Sequence, residues 1–341
     1  MADVGVQPTL RPRPAAGSVA DLVAGTTQRE PFHNGDGKSG SRFERVELDG
    51  EPYILKVLHV DDDWIARSLG DLGCKPVTVW TSGLLDAVPD AIDHTVVGAA
   101  AHIGRHGWGG AVLMHDVTGL LVPEGDAPIP SAQHAGFLHG MAALASRFWG
   151  WRDDLGLLPL ETRLSFFGPG MLAVEGERGW PDPVPRIAAQ GWQRFAERVP
   201  APVRDLVLGL RHEPWRLAEA LRATPSTFIH GDWKLGNLGT RPDGRTILLD
   251  WAYPGEGPVG HDLAWYLALN RARLPESKEA TIARLRDELH AHGIATDGWW
   301  DRQLGLSLLG ALVQFGWEKA LGPDDELGWW VDAAGAGARW L

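Results

Sequence analysis

The stretch "HGDWKLGN", His230–Asn237, follows a short strand-like run, "STFI", in a chain of 341 residues. It sets a histidine, an aspartate, a lysine and an asparagine within eight residues. Burying such groups is costly unless they are paired. Thirteen residues beyond Asn237 a second strand-like run, "TILLD", ends on Asp250. A capping aspartate or a turn asparagine accounts for either residue alone. Neither accounts for Asp-x-x-x-x-Asn after His-Gly, followed by a strand that ends in Asp.

An asparagine oxygen and a carboxylate brought together at two strand ends make an oxygen-donor set suited to Mg²⁺, a hard cation. Asp232, a carboxylate beside them, can take the proton of an attacking hydroxyl. A base aspartate, with an asparagine and a second aspartate on metal, is the division of labour in ATP-dependent phosphoryl transfer.

The segment resembles the catalytic loop of the aminoglycoside phosphotransferase/choline kinase-like family: His-Gly-Asp-x-x-x-x-Asn, then an apolar strand ending in Asp. The resemblance covers most of the chain from about residue 30, with its specific motifs in residues 35–56 and 230–262. It implies an α+β, protein-kinase-like bilobal fold. By position it implies Asp232 as catalytic base, Asn237 and Asp250 as Mg²⁺ ligands, and His230 as a brace of the loop. Asp262, in "GHDLAW", matches an aspartate that buttresses the loop. Lys234, two residues past the base, stands where a cation reaches the transferring γ-phosphoryl group. Backbone groups of His115, Asp116 and Val117 would hold the adenine edge. The resemblance thus implies ATP and Mg²⁺ as cofactors. It also implies a hydroxyl acceptor on a small molecule such as an aminoglycoside-like antibiotic, an amino sugar or an amino alcohol.

Upstream, "GDGKSG" reads Gly35-x-Gly37-x-x-Gly40, with Ser39 inside it. Its "GKS" suggests a P-loop, but that motif needs glycine at position 32, which is Phe32. A kinase-type phosphate loop fits better, because "SRFERVELDG" and "EPYILKVL" follow as two strand-like runs around an Asp49-Gly50 turn. Lys56 lies in the second run, and the α/β-phosphates of ATP are the best reason for an ammonium in an apolar strand. Such a lysine ordinarily pairs with a helix glutamate. No Glu occurs between Glu51 and Glu124, so Asp61, Asp62, Asp63 and Asp71 are the candidate partners, with Thr81 at the expected register. The gap motivates an alternative reading: a catalytically weak, nucleotide-binding pseudokinase or regulatory module. A protein kinase fits poorly. Gly231 stands where protein kinases use Arg, only 11 residues separate Asp250 from His261, and no Ala-Pro-Glu follows.

Around these motifs the pattern divides the chain in three. Residues 1–17 read as a disordered Pro/Arg tail. Residues 18–117 read as a small β-rich, nucleotide-binding N-lobe. Residues 118–341 read as a larger, mainly helical C-lobe, with helical periodicity over 131–150, 185–222 and 277–320. The helical region before the loop and the C-terminal helices are expected to set the acceptor. Asp153, Asp154 and Glu161 are candidate contacts for an ammonium there, and Trp192, Trp299, Trp300 and Trp317 are candidate pocket walls. All are equally readable as surface charge and helix packing.

Composition excludes several classes. Net charge is −12, with −6 in each of residues 1–117 and 118–341, so a nucleic-acid footprint is missing. The longest apolar run, from Leu304, is shorter than the roughly 20 residues that span a bilayer. One cysteine, Cys74, permits no internal disulfide. A cytoplasmic protein without membrane or nucleic-acid partners is the expectation.

Overall fold

Asp49 and Gly50 close the hairpin that the sequence predicts. Both have positive φ, 52° and 82°, the backbone of a two-residue turn whose twist matches the strands it joins. The structure, a computed structural model, describes residues 7–32, 39–270 and 273–341. Its strands are β1 (Gln28–Pro31), β2 (Arg42–Leu48), β3 (Glu51–His59), β4 (Ile92–Asp93), β5 (Val96–Ala101) and β6 (Gly109–His115) in the first third of the chain. β7 (Thr227–Ile229), β8 (Leu238–Thr240), β9 (Thr246–Leu248) and β10 (Gly255–Gly257) come later.

Five strands form one antiparallel sheet in the order β1-β2-β3-β6-β5. The pleat sorts β3 by parity. Ile54 and Leu58 belong to the large core that continues into the rest of the molecule, whereas Leu55 packs on the opposite face with Val23, Val46, Ala100, Ala111 and Leu113. Lys56 shares the parity of Ile54 and Leu58 and is aimed at the interlobe side.

The helices are α1 (Val19–Leu22), α2 (Trp64–Ser68), α3 (Lys75–Thr81), α4 (Leu84–Ala87), α5 (Ser131–Arg147), α6 (Leu160–Leu164) and α7 (Pro169–Glu177), then α8 (Pro183–Arg198), α9 (Ala201–His212), α10 (Pro214–Arg222), α11 (Val259–Asn270), α12 (Lys278–Ala291), α13 (Trp300–Leu321) and α14 (Asp324–Gly337). The C-lobe is built round α11 and α13, both buried along most of their length. The bilobal α+β fold therefore holds: a small β-rich lobe and a larger helical one. Among the described residues no helix is long and apolar enough to cross a membrane.

Four details differ from the sequence reading or refine it. Residues 7–17 are packed, not free: Arg13 N donates to Thr81 O and its side chain pairs with Asp86, and Ala16 bridges Ala100 of β5. The helical stretch 185–222 is three helices, because Pro200 and Pro214 start new ones where their missing N–H costs nothing. The stretch 277–320 is two, broken near Gly293 at φ 83°. β4, inside the segment assigned to the N-lobe, pairs in parallel with β9 of the C-lobe.

Candidate active site

β7 delivers the quoted stretch and β10 pairs with it, so the chain leaves the sheet at His230 with its backbone N–H groups pointing into the C-lobe. Asp262, in the first turn of α11, receives them: its Oδ2 accepts from His230 N at 3.0 Å and its Oδ1 from Gly231 N at 2.7 Å. Burial pushes the Asp262 carboxyl up to about 6, against the lowering effect of these bonds. His230 is fully buried, and burial holds its imidazole at about 4, so it is neutral at pH 7. Its Nδ1 accepts from Asp232 N at 3.2 Å, which assigns the ring proton to Nε2. The ring stands edge-on to Trp251 with centroids 4.7 Å apart.

Gly231 is the pivot. Its φ is +80°, and a Cβ there would meet Arg163 Nη1 at 1.9 Å and Tyr253 O at 2.3 Å. The guanidinium of Arg163, from α6, occupies the space that a side chain at 231 would need. Arg163 is fully buried, and burial pushes it down to about 10. None of its three guanidinium nitrogens has a hydrogen-bond partner among the described residues.

The Asp232 carboxylate is held from three sides. Trp265 Nε1 donates to Oδ1 at 2.8 Å, Asn237 Nδ2 donates to Oδ2 at 2.8 Å, and Lys234 Nζ lies 3.0 Å from Oδ2. The backbone of the loop closes on itself through Lys234 N to Asp232 O and Asn237 N to Lys234 O, both 2.9 Å. Register then fixes the metal-ligand candidates. β8 pairs with β9 through Leu238↔Leu248, and Leu249 N donates to Asn237 O at 2.9 Å, so Asp250 emerges next to Asn237. Asp250 has φ +61°, a left-handed conformation that costs an aspartate free energy and is concentrated at functional sites.

Lys56 is 5% exposed, and its Nζ reaches Asp250 Oδ1 at 2.8 Å. Burial would raise the Asp250 carboxyl, but Lys56 and then Lys234 outweigh it and hold it below the usual value. The partner of Lys56 thus comes from the other lobe. Of the four aspartates expected there, Asp61 and Asp62 are exposed and Asp71 caps α3 through Lys75 N. Asp63 is buried and lies in the field of Lys56, yet burial raises its carboxyl, and its oxygens cap α2 at Ile65 N and Ala66 N and accept from Ser41. Thr81 turns its hydroxyl back onto Val77 O.

Two cavities meet at this point. One, of about 140 Å³, is walled by Phe43, Ile54, Val112, Met114, Leu249 and Trp251. His115 and Val117 line it, while Asp116 turns its carboxylate to Arg45 and Thr118. The other, of about 430 Å³, holds Asp232, Lys234 and Trp265 and is walled by Trp64, Phe166, Phe167, Phe315 and Trp317. Lys56, Asn237 and Asp250 line both. Ser39 lines the second cavity and accepts Trp64 N on its carbonyl. Gly40 is required by proximity: at φ +88° a Cβ would strike Asp62 O at 2.2 Å. Gly35 and Gly37 lie outside the described residues.

The acceptor-side expectations fare unevenly. Trp317 is in the cavity wall, but Trp192 stacks under Arg211 and Trp299 packs on Trp149 and Trp300. Glu161 is taken by Arg222, and Asp153 caps Leu155 N and Leu157 N, both away from the larger cavity. Sequence reasoning missed Arg163 and Trp265. For Trp265 the signal was present, an indole three residues past Asp262 and so one helical turn along its face.

Residues 168–297, which contain the loop, Asp250 and Asp262, match the model of the phosphotransferase enzyme family, APH. The resemblance read from the sequence is therefore supported over the segment that carries the quoted stretch. No curated protein sequence matches. Among solved structures, the choline kinase LicA from Streptococcus pneumoniae is similar at 12% identity, with 94% of this chain and 96% of that chain covered and a TM-score of 0.50. An amicoumacin kinase, hAmiN, in complex with AMP-PNP, Ca²⁺ and amicoumacin, is similar at 13% identity, with 90% and 87% covered and a TM-score of 0.50. At such identities these likenesses speak for the fold, which is protein-kinase-like and bilobal.

Proposed function

We propose that the chain transfers the γ-phosphoryl group of ATP to a hydroxyl of a small molecule bound in the larger cavity. The observation that carries this reading is the buried Asp232 carboxylate, set in the larger cavity where that cavity shares Lys56, Asn237 and Asp250 with the apolar one. In the proposed reaction the acceptor hydroxyl gives its proton to Asp232 as its oxygen forms a bond to the γ-phosphorus. The bond from that phosphorus to the β,γ-bridging oxygen breaks, and ADP leaves. Lys234 rests on the base at 3.0 Å. A phosphate arriving nearby competes for this ammonium, which opens a lone pair on Oδ2, still held by Asn237, to the hydroxyl and brings a cation to the transferring group.

The donor set fits Mg²⁺: an amide oxygen of Asn237 and the Asp250 oxygen that Lys56 leaves open are hard ligands, and Mg²⁺ ordinarily binds through one or two such groups, the substrate phosphates and water. When bound, the ion would neutralise charge on the β- and γ-phosphates. Lys56 then serves the phosphates, and the apolar cavity between Ile54, Met114 and Leu249 serves the adenine. The larger cavity combines aromatic walls with the carboxylate of Glu318, which Lys319 shares at 2.9 Å, while the Asp63 oxygens there are taken by the α2 cap and Ser41. This mixture suits a hydroxylated amine, since ammonium groups are attracted to both ring faces and carboxylates.

The alternative, a nucleotide-binding module without turnover, draws on the missing helix glutamate. One experiment addresses both. Purified protein with ATP and Mg²⁺ is offered aminoglycosides, macrolides, amino sugars, choline, ethanolamine and homoserine, and phosphorylated product is read by mass spectrometry. The proposal expects one acceptor class to gain a phosphoryl group only when Mg²⁺ is present. Tight Mg²⁺-dependent ATP binding with no product from any member would favour the module.

A further inference from the structure

Helices α5 and α12 pack side by side, and two histidines of α5 meet them differently. His134 is buried in a closed network. Its Nδ1 lies 2.9 Å from Tyr266 Oη and its Nε2 2.9 Å from Glu276, whose oxygens are also bound by Arg284 at 3.0 and 2.7 Å. Every member has a partner, and a guanidinium neutralises the carboxylate. His139 is half exposed. Its Nδ1 lies 3.0 Å from Glu288 Oε2, and its ring is 4.9 Å from that of His292. Among the described residues no arginine or lysine pairs with Glu288; its one ion-pair contact is His139.

The geometry points to a transition-metal site formed by His139, Glu288 and His292, with zinc as the ion it takes. Three independent features support it. The first is convergence: one donor atom from each residue lies within 4.8 Å of the other two. Bonds of about 2.0–2.2 Å in a tetrahedral arrangement set donors roughly 3.3 Å apart. The His139–Glu288 pair is already close to that spacing, and the donors of all three side chains, none of them buried, lie within 4.8 Å of one another. The second is support: Glu288 lies in the last turn of α12 and His292 caps that helix four residues on, its N donating to Glu288 O at 3.0 Å. The end of that helix is tied to α5, because Ser146 Oγ donates to His292 O at 3.2 Å. The third is chemistry. Two imidazoles and one carboxylate make a borderline donor set that favours zinc over the hard Mg²⁺. Three protein ligands leave a fourth position to water.

The site lies apart from both cavities described above. Its ion would clamp α5 to α12. α5 in turn carries the catalytic strands, since Thr227 Oγ1 of β7 donates to Ala145 O and Thr246 Oγ1 of β9 donates to Gly136 O. The role inferred is therefore structural, and it is independent of the phosphotransferase reading.

The test uses untagged full-length protein, stripped with chelator and held in excess Mg²⁺ so that the hard-oxygen site at Asn237 and Asp250 is occupied. Zinc chloride is titrated by calorimetry with melting followed in parallel, and cobalt chloride by visible absorption. The expected result is one zinc equivalent bound, a raised Tm, and cobalt bands typical of four-coordinate nitrogen and oxygen ligands. Affinity should fall at least about tenfold in His139→Ala and in His292→Ala. It should be unchanged in His290→Ala, whose imidazole is engaged with Thr296. The side chain of His139 is 52% exposed, so its removal leaves the metal-free Tm in place as a check on folding. No zinc bound, or equal affinity in His139→Ala and the wild type, overturns the site.

Discussion

The catalytic loop and the strand that carries Lys56 face each other across the cleft, and they are braced by opposite means. The loop is held from beneath by its own lobe: Asp262 takes two backbone N–H groups, Arg163 fills the space under Gly231, and Trp265 and Asn237 fix the base. Among the described residues Lys56 makes no hydrogen bond within its own lobe, where the Phe43 ring stands 5.7 Å from its ammonium. Its partner, Asp250, belongs to the other lobe. On the proposed reading Asp232 is preorganised as a base before any ligand arrives, whereas the phosphate side would be completed by a contact that nucleotide and metal must reshape. This is the economical division for phosphoryl transfer, where positioning of the nucleophile and neutralisation of phosphate charge are separate tasks.

The contrast can be broken most severely at Gly231. Gly231→Ala forces a Cβ into Arg163 and the Tyr253 carbonyl at a positive φ, two penalties of about 1–3 kcal/mol each. We expect stability to fall by about 2–6 kcal/mol, read from the urea midpoint, with ATP-dependent turnover lost alongside. A normal midpoint would mean that the loop is not packed as described.

Next comes pH. His230 has its pKa depressed by burial from 6.5 to about 4, so the unfolded chain binds the proton first, and stability is lost as pH falls from 6.5 towards 4. Asp262 has its pKa raised by burial from 3.8 to about 6, so its ionisation costs stability as pH rises through the same window. Each effect is on the order of 3 kcal/mol, and they oppose one another. His230→Asn keeps an acceptor near the Nδ1 position and removes one side. The variant should therefore gain stability relative to wild type between pH 6.5 and 4, and Asp262→Asn should lose it. Parallel pH profiles for all three proteins would contradict the assignment.

On the phosphate side, Lys56→Met removes a charge-assisted contact worth about 1.5–3 kcal/mol, roughly tenfold to a hundredfold in nucleotide affinity. Calorimetry should show that loss while the urea midpoint stays near wild type. If stability falls and affinity does not, Lys56 is a structural ion-pair residue only. The smallest effect is expected at Trp265. Trp265→Phe deletes one donor to the Asp232 carboxylate. The kcat should fall several-fold with KM for ATP unchanged, because the carboxylate is less firmly held. An unchanged kcat would show that the indole only packs.

Much of this arrangement was legible because it is local. The Asp232-to-Asn237 spacing, the strand that ends in Asp250 and the Asp49-Gly50 turn are each set by residues adjacent in the chain, where turn chemistry and pleat leave few choices. Lys56 was legible because an ammonium in an apolar strand demands a reason. The partner of Lys56 was not, since Asp250 lies 194 residues away and only the closed fold joins them. Arg163 was hidden for the same reason: "LETRL" reads as an ordinary amphipathic turn, and nothing local says that its arginine fills the void left by a distant glycine. The packed course of residues 7–17 depends on backbone bonds to Thr81 and Ala99, which no composition encodes.

The central claim is that Asp232 is the base of a phosphoryl transfer from ATP. It is tested most directly in Asp232→Asn, with ATP binding and acceptor-stimulated ADP release measured on the same sample. The account predicts Mg²⁺-dependent ATP binding close to wild type and turnover lowered roughly 10²–10⁴-fold. Turnover equal to wild type would contradict it.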